Sequence, residues 1–194
     1  RFAEAHRETA LVAGETPALN AFPPSTVRVI AELAERAGPG TDGKGDITAV
    51  YSVLVAGSDM EEPVADMIRG ILDGHIILAR DIAERGRYPA IDILRSVSRS
   101  LPHAATDAEN VLIRECRRMF ALYEEVAPML RANLYEFGKD AEADNAIALF
   151  SQLDKYAGTR NENGIKAAFT RLEEILKSES SPDIQTMPAT PIEL

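Results

Sequence analysis

The sequence predicts an α/β core followed by an α-helical domain, and three observations carry that prediction. Ile47–Val55 is almost continuous β-branched and apolar sequence, the pattern of a strand buried on both faces, as in a parallel sheet flanked by helices. His75–Leu78, set off by the turn signal Asp73-Gly74, is a second short apolar run that reads as a buried strand. From residue 106 onward the periodicity is only helical.

Composition narrows the function. The 194 residues can bury a real core, as one domain or one domain with an appendage. A 45% hydrophobic and 27% charged content is that of an ordinary soluble globular protein. A net charge of −10, with no arginine-rich face, argues against a nucleic-acid partner. No apolar run is long enough to span a bilayer, and the opening residues do not read as a signal peptide. A single Cys116 excludes an intramolecular disulfide and suits a reducing cytoplasm; it falls on a helical apolar stripe and reads as core. His6 has no Cys, Asp or second His at ligand spacing, so no metal site is expected.

Taken in order, Phe2, Ala5, His6, Thr9 and Ala13 share one helical face, closed by Gly14. A proline-rich loop leads to Ser25, which reads as the cap of a helix carrying Val29, Ile30, Leu33 and Ala37. Thr41–Asp46 is a polar, glycine-rich loop. After Ile47–Val55, the acidic segment Gly57–Pro63 reads as turn plus helix N-terminus, where Glu61, Glu62 and Asp66 are favourable. Leu72–Arg99 then packs a strand, a short helix ended by Gly86, the dipeptide Tyr88-Pro89 and a Ser-Val-Ser-Arg run into under thirty residues. By residue type alone Tyr88 is half-buried packing and Arg99 a surface charge; together they could also serve a nucleotide, one for the base and one for phosphate.

In the helical part, Thr106…Glu109 is a capping box opening a helix with Leu112, Cys116, Met119, Phe120 and Tyr123 on one face. Pro128 predicts a kink or an early end. Gly138–Asp140 turns the chain into a helix with Ile147, Phe150, Leu153 and Ala157 in register. Thr159…Glu162 reads as a further capping box before a helix with Ile165, Phe169, Leu172 and Ile175–Leu176. Ser178–Leu194, with three prolines, reads as a disordered tail. The expected division is therefore 1–103, 104–178 and 179–194.

Four blocks carry a family resemblance. They are Arg1-Phe2-Ala3…Arg7-Glu8…Ala13-Gly14-Glu15; Phe22-Pro23-Pro24-Ser25; Ile47–Val55 leading into Asp59-Met60-Glu61-Glu62-Pro63-Val64-Ala65-Asp66; and Leu72–Arg99. In this order they resemble the second half of the catalytic core of rotary-type ATPases, especially the flagellum-specific ATPase and its virulence type III secretion relatives. The resemblance covers roughly residues 1–103 and is patchier beyond. It implies the back of a parallel-sheet RecA-like nucleotide-binding core followed by a C-terminal helical domain. The wording ERGRYPAID and SVSR favours the flagellar branch over the virulence one.

The resemblance also implies roles. Tyr88, with Pro89, would stack the adenine of ATP, and Tyr156 lies near the place of a second aromatic. Arg99 would enter the neighbouring subunit's site to stabilise the transferring phosphoryl group, and Arg1 would be a second phosphate-facing arginine. An arginine suits this task because its planar, permanently charged fork meets phosphate oxygens bidentately. Asp59, Met60 and Glu61 on one loop, and Lys139 and Asp140 in the turn Tyr135–Asp144, would meet a coiled-coil stalk protein. A site completed by a neighbour requires head-to-tail contacts closing into a ring, in this family a homohexamer.

The intact enzyme would hydrolyse Mg-ATP to drive export of protein substrates and their chaperones, in the cytoplasm and peripheral to the export gate at the inner membrane. No GxxxxGK[ST] occurs here, and no strand ending in an aspartate precedes Arg1. The chain therefore reads as a C-terminal piece, with the magnesium ligands and catalytic glutamate upstream, and is not expected to hydrolyse ATP alone. A sheet cut in this way leaves open edges and predicts association of the isolated chain. A non-catalytic subunit of a rotary-type ATPase, or a pure interaction module, remains open as an alternative.

Overall fold

The computed structural model describes residues 1–17, 22–57, 61–160 and 163–178. The expected disordered tail, 179–194, and the loop residues Asp59 and Met60 lie outside the described residues. The chain divides into two compact units, Arg1–His75 and Ile76–Leu194.

The first unit is built on three helices, α1 (Phe2–Val12), α2 (Pro24–Ala34) and α3 (Pro63–Ile71). Gly14, at φ +86°, stops α1 where a residue with a Cβ would be strained. The buried face of α1 is Ala3 and Ala10 with His6 half-buried between them, whereas Phe2 is exposed. This face is displaced from the one the sequence suggests because small alanines permit close approach to α2. The core joins Ala3, Phe22 and Ile30, with Val64, Met67, Ile68 and Ile71 of α3 packed against it.

Ser25 does not cap α2. Pro23 holds the N-cap position and Pro24 opens the first turn, as its fixed φ favours. Ser25 is one residue further in. The Glu15 carboxylate arrives from the preceding loop and accepts from the Ser25 backbone N–H at 2.9 Å and the Ser25 hydroxyl at 2.5 Å. These bonds hold the Glu15 carboxyl below its usual range.

Ile47–Val55 does not form a strand. It meets neighbouring chain through one antiparallel bridge, Gly38 with Ile47, and otherwise runs without ladder partners among the described residues. Val50 is 91% exposed and Leu54 80%. β-propensity needs a neighbour to satisfy the backbone N–H and C=O groups, and no parallel sheet is present among the described residues. The sheet that does form is two-stranded and antiparallel: β1 (Gly74–Leu78) and β2 (Ile91–Ser98). Between them lies α4 (Arg80–Glu84), ended by Arg85 and by Gly86 at φ +80°, which sends β2 back along β1.

The second unit is dominated by α5 (Asp107–Arg131), α6 (Ala141–Gly158) and α7 (Gly164–Lys177). The expected capping box is complete: Thr106 Oγ1 accepts from Glu109 N–H while Glu109 accepts from Thr106 N–H. Pro128 lies in the last turn of α5, which ends three residues later at Arg131. Asp140 caps α6 by accepting from the backbone N–H groups of Glu142 and Ala143.

Cys116, Met119 and Phe120 of α5, Ala146, Leu149 and Leu153 of α6, and Leu172 and Ile175 of α7 make one buried core. Ile93 and Leu94 of β2 pack against it, so strand and bundle share a core. The inner face of α6 thus centres on Ala146, Leu149 and Leu153: Leu153 is in the core as expected, and Ala146 and Leu149 take the fully buried places expected of Ile147 and Phe150. Phe150 packs against this core from its edge, meeting Phe120 edge to face at 5.9 Å and stacking on Tyr123 with centroids 3.4 Å apart. Thr159 does not open α7. It ends α6, its hydroxyl donating to Lys155 C=O, and α7 starts after Asn163 without a side-chain cap. Among the described residues no helix is long and apolar enough to cross a membrane.

Candidate nucleotide-binding site

The Tyr88 loop is built from below. Gly86 ends α4, and Arg87 turns inward until only 9% of it is exposed. Its guanidinium donates to the carbonyls of Pro89 (3.2 Å) and Ile91 (2.8 Å), so one side chain ties the backbone at two of the three residues that follow Tyr88. Arg87 Nε also lies 2.9 Å from Asp154 Oδ1 of α6, an ion pair whose geometry is off the hydrogen-bond line. Gly158, the last residue of α6, completes the seat. A Cβ there would come within 3.3 Å of Arg87 Cγ and 3.4 Å of the Tyr88 carbonyl oxygen. Tyr88 itself is 65% exposed. An apolar ring presented to solvent on a backbone pinned by a buried arginine offers a flat face to a planar ligand.

Arg99 follows β2 directly, exposed on a turn. The strand carrying it is held against β1 by Ser96, whose hydroxyl accepts from Ile77 N–H at 3.0 Å and donates to Asp92 C=O. Tyr156, on α6, packs against the helical core, and its hydroxyl donates to Ala168 C=O at 3.1 Å. Burial pushes its phenol above the usual range. Pro89 lies beside Tyr88 in the same loop.

Arg1 belongs to the first unit. It is exposed at the N-cap of α1 and borders a cleft of about 510 Å³ lined by Ile30, Leu33, Val50, Leu54 and Ile68. Glu61 is exposed just ahead of Glu62, the N-cap of α3. In the turn between α5 and α6, Lys139 pairs with Glu136 at 2.5 Å while Asp140 is spent on the α6 cap. That turn is rigid. Tyr135 donates to Asp144 Oδ1 at 2.9 Å, Gly138 N–H donates to Asp144 Oδ2 at 2.8 Å, and Tyr135 and Phe137 meet edge to face. Leu134 and Phe137 are nevertheless 71% and 58% exposed, a small apolar tip.

Residues 1–98 match the model of the ATP synthase alpha/beta family, nucleotide-binding domain. The chain belongs to this family. Residues 105–171 match the model of the T3SS EscN ATPase C-terminal domain.

The flagellum-specific ATP synthase of Helicobacter pylori is 41% identical over 180 residues, covering 91% of this chain and 41% of the relative. The SPI-2 type 3 secretion system ATPase of Salmonella typhimurium is 46% identical over 153 residues, covering 79% and 35%. The assembled ATPase EscN of the enteropathogenic E. coli type III secretion system superposes with a TM-score of 0.84 at 35% identity, over 90% of this chain and 42% of EscN. EscN in complex with its central stalk EscO superposes with a TM-score of 0.76. This family member thus spans about two fifths of the length of the curated relatives it matches.

Sequence reasoning missed the residues beneath the site. Arg87 and Asp154 are 67 positions apart, and no local spacing announces their pairing. Asp144 likewise reads as a helix-surface acid until Tyr135 and Gly138 are seen to converge on it.

Proposed function

We propose that this chain is the C-terminal part of an ATP-hydrolysing motor of flagellar or type III protein secretion, with Tyr88 as its adenine platform and Arg99 as an arginine finger. The observation that carries the reading is the exposed Tyr88 ring on a backbone fixed by buried Arg87, within a chain matched first by the nucleotide-binding model and then by the secretion-type helical model. Stacking on Tyr88, beside Pro89, would hold the base without reading its edge, and such contacts are worth about 1–3 kcal/mol per base in single-stranded nucleic-acid complexes. Arg99 would complete the neighbouring subunit's site, neutralising charge on the transferring phosphoryl group; fingers of this kind supply about 10³–10⁵ in rate. Arg1 would face phosphate from its own subunit, and Tyr156 would border the base.

The working enzyme would be a homohexameric ring in the cytoplasm, peripheral to the inner-membrane export gate, handling export substrates and their chaperones. Its domains would divide near residues 103 and 178. The turn bearing Lys139 and Asp140, and the loop bearing Asp59, Met60 and Glu61, would meet a coiled-coil stalk; the apolar tip of Leu134 and Phe137 supports a protein contact there. Magnesium, which would neutralise phosphate charge when bound, would be held by residues of the upstream half. Among the described residues no group of three His, Cys, Asp or Glu side chains is placed for a metal ion. The 194 residues carry no P-loop and would not turn over ATP alone.

The test is Arg99→Ala in the full-length ring. ATP binding should persist while turnover falls by about 10³-fold or more. Turnover within a few-fold of the parent would remove Arg99 from the site and leave a stalk-binding or non-catalytic subunit as the better reading.

A further inference from the structure

Arg99 is bracketed by one helix. On its N-terminal side, Arg117 of α5 reaches across to β2. One Arg117 Nη1 donates to the carbonyls of Ile93 (2.6 Å) and Ser96 (3.2 Å), and Nη2 donates to Leu94 (2.7 Å). On its C-terminal side, the buried side chain of Asn110, also on α5, donates to the carbonyls of Pro102 (2.9 Å) and Ala105 (3.1 Å). Asn110 and Arg117 are seven residues apart, two helical turns along one face of α5. Five carbonyls on either side of Arg99 are thus fixed from a single rigid element that begins in a complete capping box.

The chemistry of the two side chains suits holding a loop more than holding a ligand. A guanidinium gripping three carbonyls offers charge-assisted bonds in a fixed planar fork, which a flexible ammonium cannot reproduce. The Asn110 amide has its donors aimed at backbone oxygens of the turn that β2 runs into. Neither contact shortens the reach of Arg99; both restrict where its Cα can be.

We infer that Arg117 and Asn110 are positioning residues for Arg99, through which α5 sets the placement of the phosphate-directed arginine. The inference rests on the reading of Arg99 as a finger. A displacement of about 1 Å at a reacting centre can cost about 10²-fold in rate, so the loss of either brace should appear in turnover before it appears in nucleotide binding.

The experiment uses the full-length assembled ATPase, with steady-state ATP hydrolysis and fluorescent-ATP binding measured on each variant. Arg117→Met should lower kcat by about 10²-fold while KM for Mg-ATP stays within about threefold. Arg117→Lys, which keeps the charge but not the fork, should recover part of the loss. Asn110→Ala should show the same kcat-against-KM split. The combination Arg99→Ala with Arg117→Met should be no slower than Arg99→Ala alone, because a brace has nothing left to place. Losses that multiply in the double variant, or a fall in melting temperature with kcat unchanged, would overturn the inference. Should Arg117→Met not assemble, Arg117→Lys with and without Arg99→Ala gives the same comparison. If Arg99→Ala itself leaves kcat unchanged, the finger reading fails first; if Arg99→Ala is slow and Arg117→Met and Asn110→Ala are not, only the bracing role fails.

Discussion

The two units of this chain solve the same problem with different completeness. In Ile76–Leu194, three long helices and β2 enclose one core in which Met119, Leu149 and Leu153 are almost wholly removed from water. In Arg1–His75, the core of Ala3, Phe22 and Ile30 is smaller, and Val50 and Leu54 of Ile47–Val55 are largely exposed along the cleft they line. The long helices of the second unit bury their main apolar stripes on one another. The first carries a segment written for a sheet, with no sheet neighbour among the described residues. An apolar, β-branched run is therefore evidence of what a chain is prepared to pair with, and the pairing decides whether a strand exists.

Substitution should expose that difference at its largest. Leu149→Ala removes a fully buried side chain from the helical core and should destabilise the second unit by about 2–5 kcal/mol. Val50→Ala, at an exposed position of the isolated chain, should change stability by less than about 0.5 kcal/mol. Urea unfolding followed by circular dichroism gives both values. Cys116 supplies a second readout. Its thiol is buried and pushed up to about 11, so thiol reagents at neutral pH should label it only as the second unit opens, and Leu149→Ala should speed that labelling. Equal costs for the two substitutions would mean that Ile47–Val55 is packed as tightly as the helical core.

The same contrast governs what was legible in the sequence. The α5 capping box, the Gly86 stop, and the stripe of Cys116, Met119 and Phe120 could be read directly, because each depends on residues within a turn or two of one another; β1 was legible in place but not in burial, since Ile76 and Leu78 are largely exposed. Ser25 and Thr159 misled. Both are good caps by residue type, yet Pro24 had already claimed the helix start in one case and the end of α6 claimed Thr159 in the other. At the candidate site, Tyr88 and Arg99 were found through family wording, which local physics supports only as an exposed aromatic and an exposed arginine. Their supports were invisible: Arg87 with Asp154, and Arg117 with the β2 carbonyls, join positions more than twenty residues apart. Long-range polar contacts have no period, and a charged residue that is about to be buried looks like any other.

Within the second unit, platform and support should separate. Arg87→Met leaves the Asp154 carboxylate, whose side chain is 27% exposed, without its partner and frees the Pro89 and Ile91 carbonyls. Partial exposure keeps the cost below that of a fully buried pair, at about 1–3 kcal/mol of stability. Tyr88→Ala should leave stability within about 0.5 kcal/mol, since the ring is mostly exposed, yet weaken ATP binding by the full stacking term, about 1–3 kcal/mol or roughly 5- to 150-fold. Thermal melts of the chain, together with ATP binding to the full-length ring, would distinguish them. A Tyr88→Ala variant that melts early but binds ATP normally would make the tyrosine a packing residue.

The smallest effect belongs to the first unit and is electrostatic. Glu15 is half-buried, and its carboxylate accepts from both the hydroxyl and the backbone N–H of Ser25, bonds that favour the ionised form. Its folded pKa therefore lies below the ordinary 4.5. A group depressed in this way contributes stability that is present above its unfolded pKa and lost as pH falls through the folded value. The Ser25 amide resonance should accordingly report a titration with its midpoint below 4.5, and Glu15→Gln should abolish that titration. The melting difference between Glu15→Gln and the parent should be complete at pH 6 and close as the solution is acidified below the ordinary carboxylate value. A gap that persists unchanged into acid would show that the side chain packs against α2 by shape, and that its charge contributes nothing to holding the helix start.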